Sequence, residues 1–370
     1  MDSLETPIPV IDLDRLEANL DRMAVYASAH GLALRPHVKT HKSSFVASEQ
    51  LARGATGLTC ATPRELEVMS AVSPSLLLAY PPVGEGRLRR VVATPAAVDL
   101  RVSLDSDEAV DGLAAAAAAA NRAVKVLVEV DLGMRRVGVG SAAEAVALAR
   151  RIAETGALQF EGIAFYPGHI RGGGPEQDAA LHQLSSQLGE VLSALTSAGL
   201  PAATVSGGST PTAWRSHEIA GVTEIRPGTY VYNDRATVAS GFCSRLDCAL
   251  TVLATVVSIA VPGQAVVDAG TKALGREPRG GGEDWGYGEL LDRPEVTVKA
   301  MSEEHGTLDL SRTTWRPRVG ERVRIIPNHV CIVTHLFDEV VGVRGEEVVK
   351  RWTVEARGRG SVKGEARSEK

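Results

Sequence analysis

Short apolar runs alternate with longer amphipathic segments about eight times before residue 235, and few folds accommodate that order. The runs cover residues 32–38, 57–61, 76–80, 98–104, 124–131, 160–166, 203–206 and 223–226. Helical periodicity marks 63–72, 107–121, 142–155 and 177–198 between them. Thr62, Pro63 and Glu65 form a helix-start signature, with a hydroxyl cap, proline at the first helical position and an acid three residues after the cap. Repeated strand–helix units predict an α/β protein whose parallel strands close into a (β/α)8 TIM-like barrel. Beyond about residue 235 the helical period fades. Residues 248–261, 265–268, 295–301, 322–326, 330–336 and 347–354 are rich in β-branched residues and read as strands. A C-terminal all-β domain is therefore expected, with the barrel spanning 14–235 and the β domain 236–370.

Charge and cysteine content narrow the function classes. The net charge is −5 with both signs interspersed, which gives no basic face for nucleic acid. The start Met1-Asp2-Ser3-Leu4-Glu5 has no basic or apolar leader character. The alanine run at 114–120 is too short to span a bilayer, so no membrane role is expected. Cys60, Cys243, Cys248 and Cys331 form no CxxC pair, which fits a cytoplasmic protein without a disulfide framework. The Gly-rich stretch 280–284 reads as a flexible connection, and the polar tail 357–370 as frayed.

Four segments carry chemistry. Residues 34–42 close the first barrel strand, and barrel active sites lie at the C-terminal ends of strands. A lysine in such a place can give up its proton and offer its amine to a carbonyl. His37 and Lys39 share one face by alternation, and His41 and Lys42 follow at once. Ser206-Gly207-Gly208-Ser209-Thr210 follows the seventh strand, where barrels place phosphate loops, and Gly228 with Tyr230 after the eighth can complete the cradle. Arg136 lies beyond the fifth strand and suits a carboxylate or a cofactor ring, or else a surface ion pair. His329 and Cys331 have an H-x-C spacing that on a strand would point imidazole and thiolate the same way, as zinc ligands or as packed core residues.

These segments resemble one known family. Arg35-Pro36-His37-Val38-Lys39-Thr40-His41-Lys42 is similar to the pyridoxal phosphate (PLP) lysine motif of the family containing D-threonine aldolase and eukaryotic-type D-serine dehydratase, with alanine racemase as a more distant relative. The stretches 131–138, 166–169, 268–272, 302–306 and 327–331 resemble that family's motifs in the same order. The resemblance implies an alanine-racemase-like barrel with a β domain that also takes in residues 1–13. It implies a PLP Schiff base on Lys39, with His37, Arg136, Tyr166, Ser206, Gly207, Gly208, Ser209, Thr210, Gly228 and Tyr230 around the cofactor. His329 and Cys331 would hold a divalent metal, zinc or manganese, with water and substrate completing its coordination. The implied activity is a lyase on D-3-hydroxy-amino acids working as a homodimer. Retro-aldol cleavage is placed first on the stretches 268–272 and 302–306, with His169 as its candidate base. Dehydration is the alternative, favoured by Cys331 and served by Lys39 as the base. An amino-acid racemase and a noncatalytic PLP carrier are further alternatives.

Overall fold

The computed structural model describes residues 1, 3–277 and 285–359. The stretch 280–284 and the tail from 360 onward lie outside the described residues. After β1 (Ile8–Asp12), eight strands build the barrel: β2 (Ala33–Leu34), β3 (Leu58–Cys60), β4 (Ser75–Leu78), β5 (Asp99–Leu104), β6 (Val124–Glu129), β7 (Leu158–Ala164), β8 (Thr204–Gly207) and β9 (Glu224–Ile225). Their order is β2-β9-β8-β7-β6-β5-β4-β3, all parallel. A parallel bridge between His37 and Thr59 closes the ring. The alternation in the sequence therefore became the (β/α)8 barrel it predicted.

Helices occupy Pro63–Met69, Asp107–Ala119, Ala142–Glu154 and Pro175–Ser197, as their periodicity requires. Leu13–Ala29, Ser44–Ala52 and Glu85–Val92 are also helical. At the Thr62 cap, the hydroxyl accepts the Glu65 N–H at 3.2 Å. Glu65 does not reach back to the cap residue. Its carboxylate accepts the Ala61 N–H at 2.6 Å and pairs with the buried Lys42 ammonium.

Most apolar side chains of the barrel pack outward under the helices, in one large core that joins Leu76, Val102, Val126 and Ile163 to Leu113, Leu148 and Leu188. The alternate residues point into the barrel. Leu77, Leu127 and Ala164 form a small apolar plug with Ala79. Above and below it the interior is polar. Glu224 accepts from Arg35 Nε at 2.7 Å and from Ser206 Oγ at 2.6 Å. Arg226 donates to Ser206 Oγ and to the Ser206 carbonyl, both at 2.7 Å. Gly162 sets the phase of β7. It sits at φ 153°, and a Cβ there would fall 1.9 Å from the Thr204 carbonyl oxygen. One extra residue of β7 is bulged at this point against β6, which turns Ala164 and then Tyr166 inward.

The second sheet has nine strands. It adds β10 (Leu250–Ser258), β11 (Gln264–Val267), β12 (Gly288–Leu290), β13 (Val298–Met301), β14 (Gly306–Asp309), β15 (Arg322–Pro327), β16 (Glu339–Arg344) and β17 (Glu347–Thr353) to β1. β1 lies between β10, antiparallel, and β16, parallel. One expected strand is wrong: 330–336 is the helix Val330–Leu336. Its β-branched residues favour a strand locally, but Val330, Val333 and Thr334 are buried, and the Thr334 hydroxyl donates to the Thr40 carbonyl at 2.6 Å. Tertiary packing overrides a propensity worth only tenths of a kcal/mol per residue.

Replacing Glu224 with alanine should leave Arg35 buried without its carboxylate. We expect a loss of about 3–5 kcal/mol in equilibrium urea unfolding, and a loss below about 1 kcal/mol would contradict the role given to this pair.

Candidate active site

The strand ends converge on a cavity of about 250 Å³ at the C-terminal mouth of the barrel. Inward parity decides which barrel residues line it: His37, Ala79, Glu129, Tyr166, Gly208, Arg226 and Gly228 each continue the inward face of their strand. Lys39 lies in the turn just beyond the His37 bridge rather than on a strand, and it still faces the cavity. Its ammonium stands 5.5 Å from the centre of the Tyr166 ring. Lys42, three residues on, turns away to Glu65. Of the two lysines, Lys39 is the one open to a ligand.

His37 is buried, and burial together with the nearby Lys39 charge holds its imidazole well below the ordinary histidine range. It is neutral at pH 7, and its Nδ1 accepts the Lys39 N–H at 3.4 Å. Arg136 stacks over the other cation's ring, with its guanidinium 4.7 Å from the Tyr166 centroid. Gly208, Ser209, Thr210 and Gly228 line the mouth. Gly208 has φ 104°, and a Cβ on Gly228 would press on Thr40 Oγ1 and the His37 carbonyl at 3.0–3.1 Å. Small residues and backbone N–H groups at this place make a cradle of the kind that takes a phosphate.

Three expected cofactor residues lie elsewhere. The Ser206 hydroxyl belongs to the network with Glu224 and Arg226 beneath the cavity. Gly207 faces outward, where Phe165 lies so close that a Cβ would meet its ring at 2.1 Å. Tyr230 is buried with its hydroxyl on Gln50 Nε2 at 3.0 Å. His169 is exposed and packs against Gly133, outside the cavity lining.

The C-terminal domain supplies the remaining wall. β15 ends at Pro327, so His329 precedes a helix and Cys331 sits in that helix's first turn. The expected strand is absent here, yet both side chains line the cavity. Cys331 Sγ lies 3.2 Å from Thr40 Oγ1, the residue next to Lys39. Asp234, fully buried, holds His329 Nδ1 at 2.9 Å and accepts the Val330 N–H at 3.2 Å. Burial opposes charge on His329, but Cys331 and Asp234 outweigh it and raise the imidazole to about 10. Burial likewise opposes the Cys331 thiolate, but His329 and Lys39 bring the thiol down to about 7. Among the described residues no group of three or more His, Cys, Asp or Glu side chains gathers as a metal site.

Glu129, Arg226 and Asp234 were not assigned from the sequence. A glutamate and an arginine inside otherwise apolar strands were the available signal for the first two. Glu129 accepts from Ser103, and Arg226 also donates to the Phe165 carbonyl at 3.0 Å. Asp234 carries no such signal, because its partner is 95 residues away.

In metal-free protein, Cys331 should alkylate with a midpoint near pH 7, while Cys60, whose thiol burial pushes well up, stays inert. His329→Ala should move that midpoint upward. Mass-spectrometric modification rates across pH measure both, and an unmoved midpoint would break the coupling.

A sequence model of the alanine racemase N-terminal domain matches residues 11–236, and one of a serine dehydratase domain matches 249–343. D-threo-3-hydroxyaspartate dehydratase of Delftia sp. (strain HT23) is 35% identical over 95% of this chain and 97% of its own. D-threonine aldolase of Arthrobacter sp. is 30% identical over 96% and 93%. The crystal structure of D-threonine aldolase from Filomicrobium marinum superposes with a TM-score of 0.89 at 32% identity, over 97% of each chain. No helix among the described residues is long and apolar enough to cross a membrane. With its barrel, its second sheet and its cavity lysine accounted for, the chain belongs to the alanine-racemase-fold family of PLP enzymes that includes D-threonine aldolase and D-threo-3-hydroxyaspartate dehydratase.

Proposed function

We propose that this enzyme is a dehydrating lyase for D-3-hydroxy-amino acids, with PLP on Lys39 and a divalent metal on His329 and Cys331. One observation carries the reading: an imidazole–thiol pair from the C-terminal domain reaches the same cavity as Lys39, which has no carboxylate partner among the described residues. A racemase has no use for such a pair, and a PLP carrier has no need of the domain that brings it. Relatives with dehydratase and aldolase activities support the class of reaction.

The donors fit a metal that shares its sphere with substrate. Asp234 engages His329 Nδ1, so the other ring nitrogen would ligate the metal after losing its proton, the usual arrangement for a ligating histidine. His329 and Lys39 favour the thiolate form of Cys331, and thiolate with imidazole suits zinc. Two protein donors leave positions open, as a catalytic metal requires. When bound, the metal would polarise the substrate's 3-hydroxyl. PLP, when bound, would supply an electron sink for the carbanion at Cα. The cradle of Gly208, Ser209, Thr210 and Gly228 would hold its phosphate, and Arg226 presents a fixed guanidinium from below.

Dehydration is favoured over retro-aldol cleavage because of where the bases stand. Lys39 faces the cavity and can take the Cα proton. His169, the base expected for the aldol route, does not line the cavity. The stretches that resembled aldolases do not reach it either. Asp268 bonds Thr6 and Thr255, and Lys272 pairs with Glu303 and Glu304 at the surface. Loss of the Cα proton and of hydroxide from C3 leaves a 2-amino-alkenoic acid, which hydrolyses to a 2-oxo acid and ammonia.

Borohydride treatment of the PLP-loaded protein should label Lys39 and spare Lys42, because Glu65 already holds the second ammonium. Peptide mapping reads this, and a label on Lys42 would overturn the assignment. Incubation with D-serine, D-threonine or 3-hydroxy-D-aspartate should yield 2-oxo acid and ammonia. Chelation should abolish that yield, keep the cofactor's visible absorbance, and be reversed by zinc or manganese. Glycine and an aldehyde as products would restore the retro-aldol route, and full activity without metal would remove the role of His329 and Cys331.

A further inference from the structure

The loops after β6 and β7 bring two guanidinium groups to the cavity that no carboxylate neutralises among the described residues. Arg136 rests on the Tyr166 ring. Arg171 makes one hydrogen bond, from Nε to the Gly168 carbonyl at 3.2 Å. Both line the cavity. Several arginines elsewhere pair with acids, as Arg151 does with Asp111, Arg215 with Asp178 and Glu218, and Arg344 with Asp14 and Glu17. Arg226, the third arginine of the cavity, is occupied by Ser206 and Phe165.

The two guanidinium groups are held by different partners around one ring. Arg136 and Lys39 share one ring, at 4.7 and 5.5 Å from its centre, so Arg136 and the amine that marks the reacting carbon serve the same part of the cavity. Arg171 hangs from Gly168, whose α-carbon packs on the edge of that ring; a Cβ there would fall 2.2 Å from Tyr166 Cε1. The cradle of small residues expected to take the phosphate is a separate group, so neither arginine is needed for it.

We infer that the preferred substrate is a dicarboxylic 3-hydroxy-amino acid of the 3-hydroxy-D-aspartate class, with Arg136 on the α-carboxylate and Arg171 on the distal one. The inference deepens the lyase reading and rests on it for the placement of the substrate amine at Lys39. A planar guanidinium meets a carboxylate with two parallel hydrogen bonds, which gives both strength and direction. D-Serine or D-threonine would satisfy Arg136 and leave Arg171 without a ligand. Arg171 is therefore the specificity-determining residue, separate from the groups that serve the chemistry.

The test compares kcat/KM for 3-hydroxy-D-aspartate with that for D-serine in the holoenzyme, in wild type, Arg171→Gln and Arg171→Lys. Wild type should prefer the dicarboxylate. Arg171→Gln should lower the ratio of the two values by roughly 10- to 100-fold, the range of a charge-assisted hydrogen bond, with the loss mainly in KM, and Arg171→Lys should restore part of it. A second arm needs no turnover. D-Aspartate and D-alanine lack the 3-hydroxyl, and their binding is read from the shift of the cofactor's visible absorbance. D-Aspartate should bind about tenfold or more tightly in wild type, and Arg171→Gln should erase the difference. Equal binding of the two, or a substrate ratio unmoved by Arg171→Gln, overturns the inference. Preference for D-aspartate in a protein that turns over no 3-hydroxy-amino acid supports the dicarboxylate site and removes the lyase reading instead.

Discussion

Glu224 is the hinge of the site, although no ligand would touch it. Parallel barrels are commonly filled by layers of branched apolar side chains. This one has a plug of three apolar residues and a charged interior around it. Glu224 ties Arg35 on one side to Ser206 on the other, and Ser206 holds Arg226. Such buried pairs add little net stability over an apolar filling, because desolvation offsets the attraction. Their contribution is geometry. With two oxygens of Ser206 and the carbonyl of Phe165 accepting its protons, the Arg226 guanidinium has one orientation, and the cavity floor carries a fixed positive charge.

The lysine turn depends on both halves of the protein. The barrel fixes it through the His37 bridge and the Lys42–Glu65 pair. The C-terminal region grips it from the other side. Thr334 holds the Thr40 carbonyl, Ala356 donates to the Lys42 carbonyl at 3.0 Å, and Glu355 accepts from Ser44 at 2.6 Å. The same contacts bring Cys331 against Thr40. The site is therefore not a barrel mouth with a domain nearby. It exists because two packed units share one turn.

What could be read from the sequence follows from the range of each interaction. Alternation within a strand is local, so the barrel, the inward side of His37 and the glycines at 208 and 228 were legible, whereas Lys39 reaches the cavity from a turn that alternation does not describe. Ser206 and Gly207 were not separable from Gly208 by motif alone. Only the strand's parity, set by pairing with its neighbours, sends one to the ion network, one to Phe165 and one to the cavity. The helix at Val330–Leu336 read as a strand because its sequence is β-branched and its packing partners lie near residue 40. Asp234 was invisible for the same reason, since its value is a distance to His329 that no spacing encodes. The H-x-C motif pointed to two residues that line the cavity, but through a strand where the structure has a helix.

The position of β1 has a consequence for synthesis on the ribosome. This strand is made first but sits between β10 and β16, and the latter ends at Arg344. All eight barrel strands have emerged by Ile225, while the apolar strand Ile8–Asp12 still lacks both neighbours. The strand stays without either neighbour until β10 is complete at Ser258, and it keeps one open edge until β16 is complete at Arg344. His329 and Cys331 arrive within the same late window, so the growing polypeptide holds its lysine long before it can hold the rest of its chemistry. Completion of the sheet by its oldest strand and completion of the active site by its youngest residues are one event in the life of the chain.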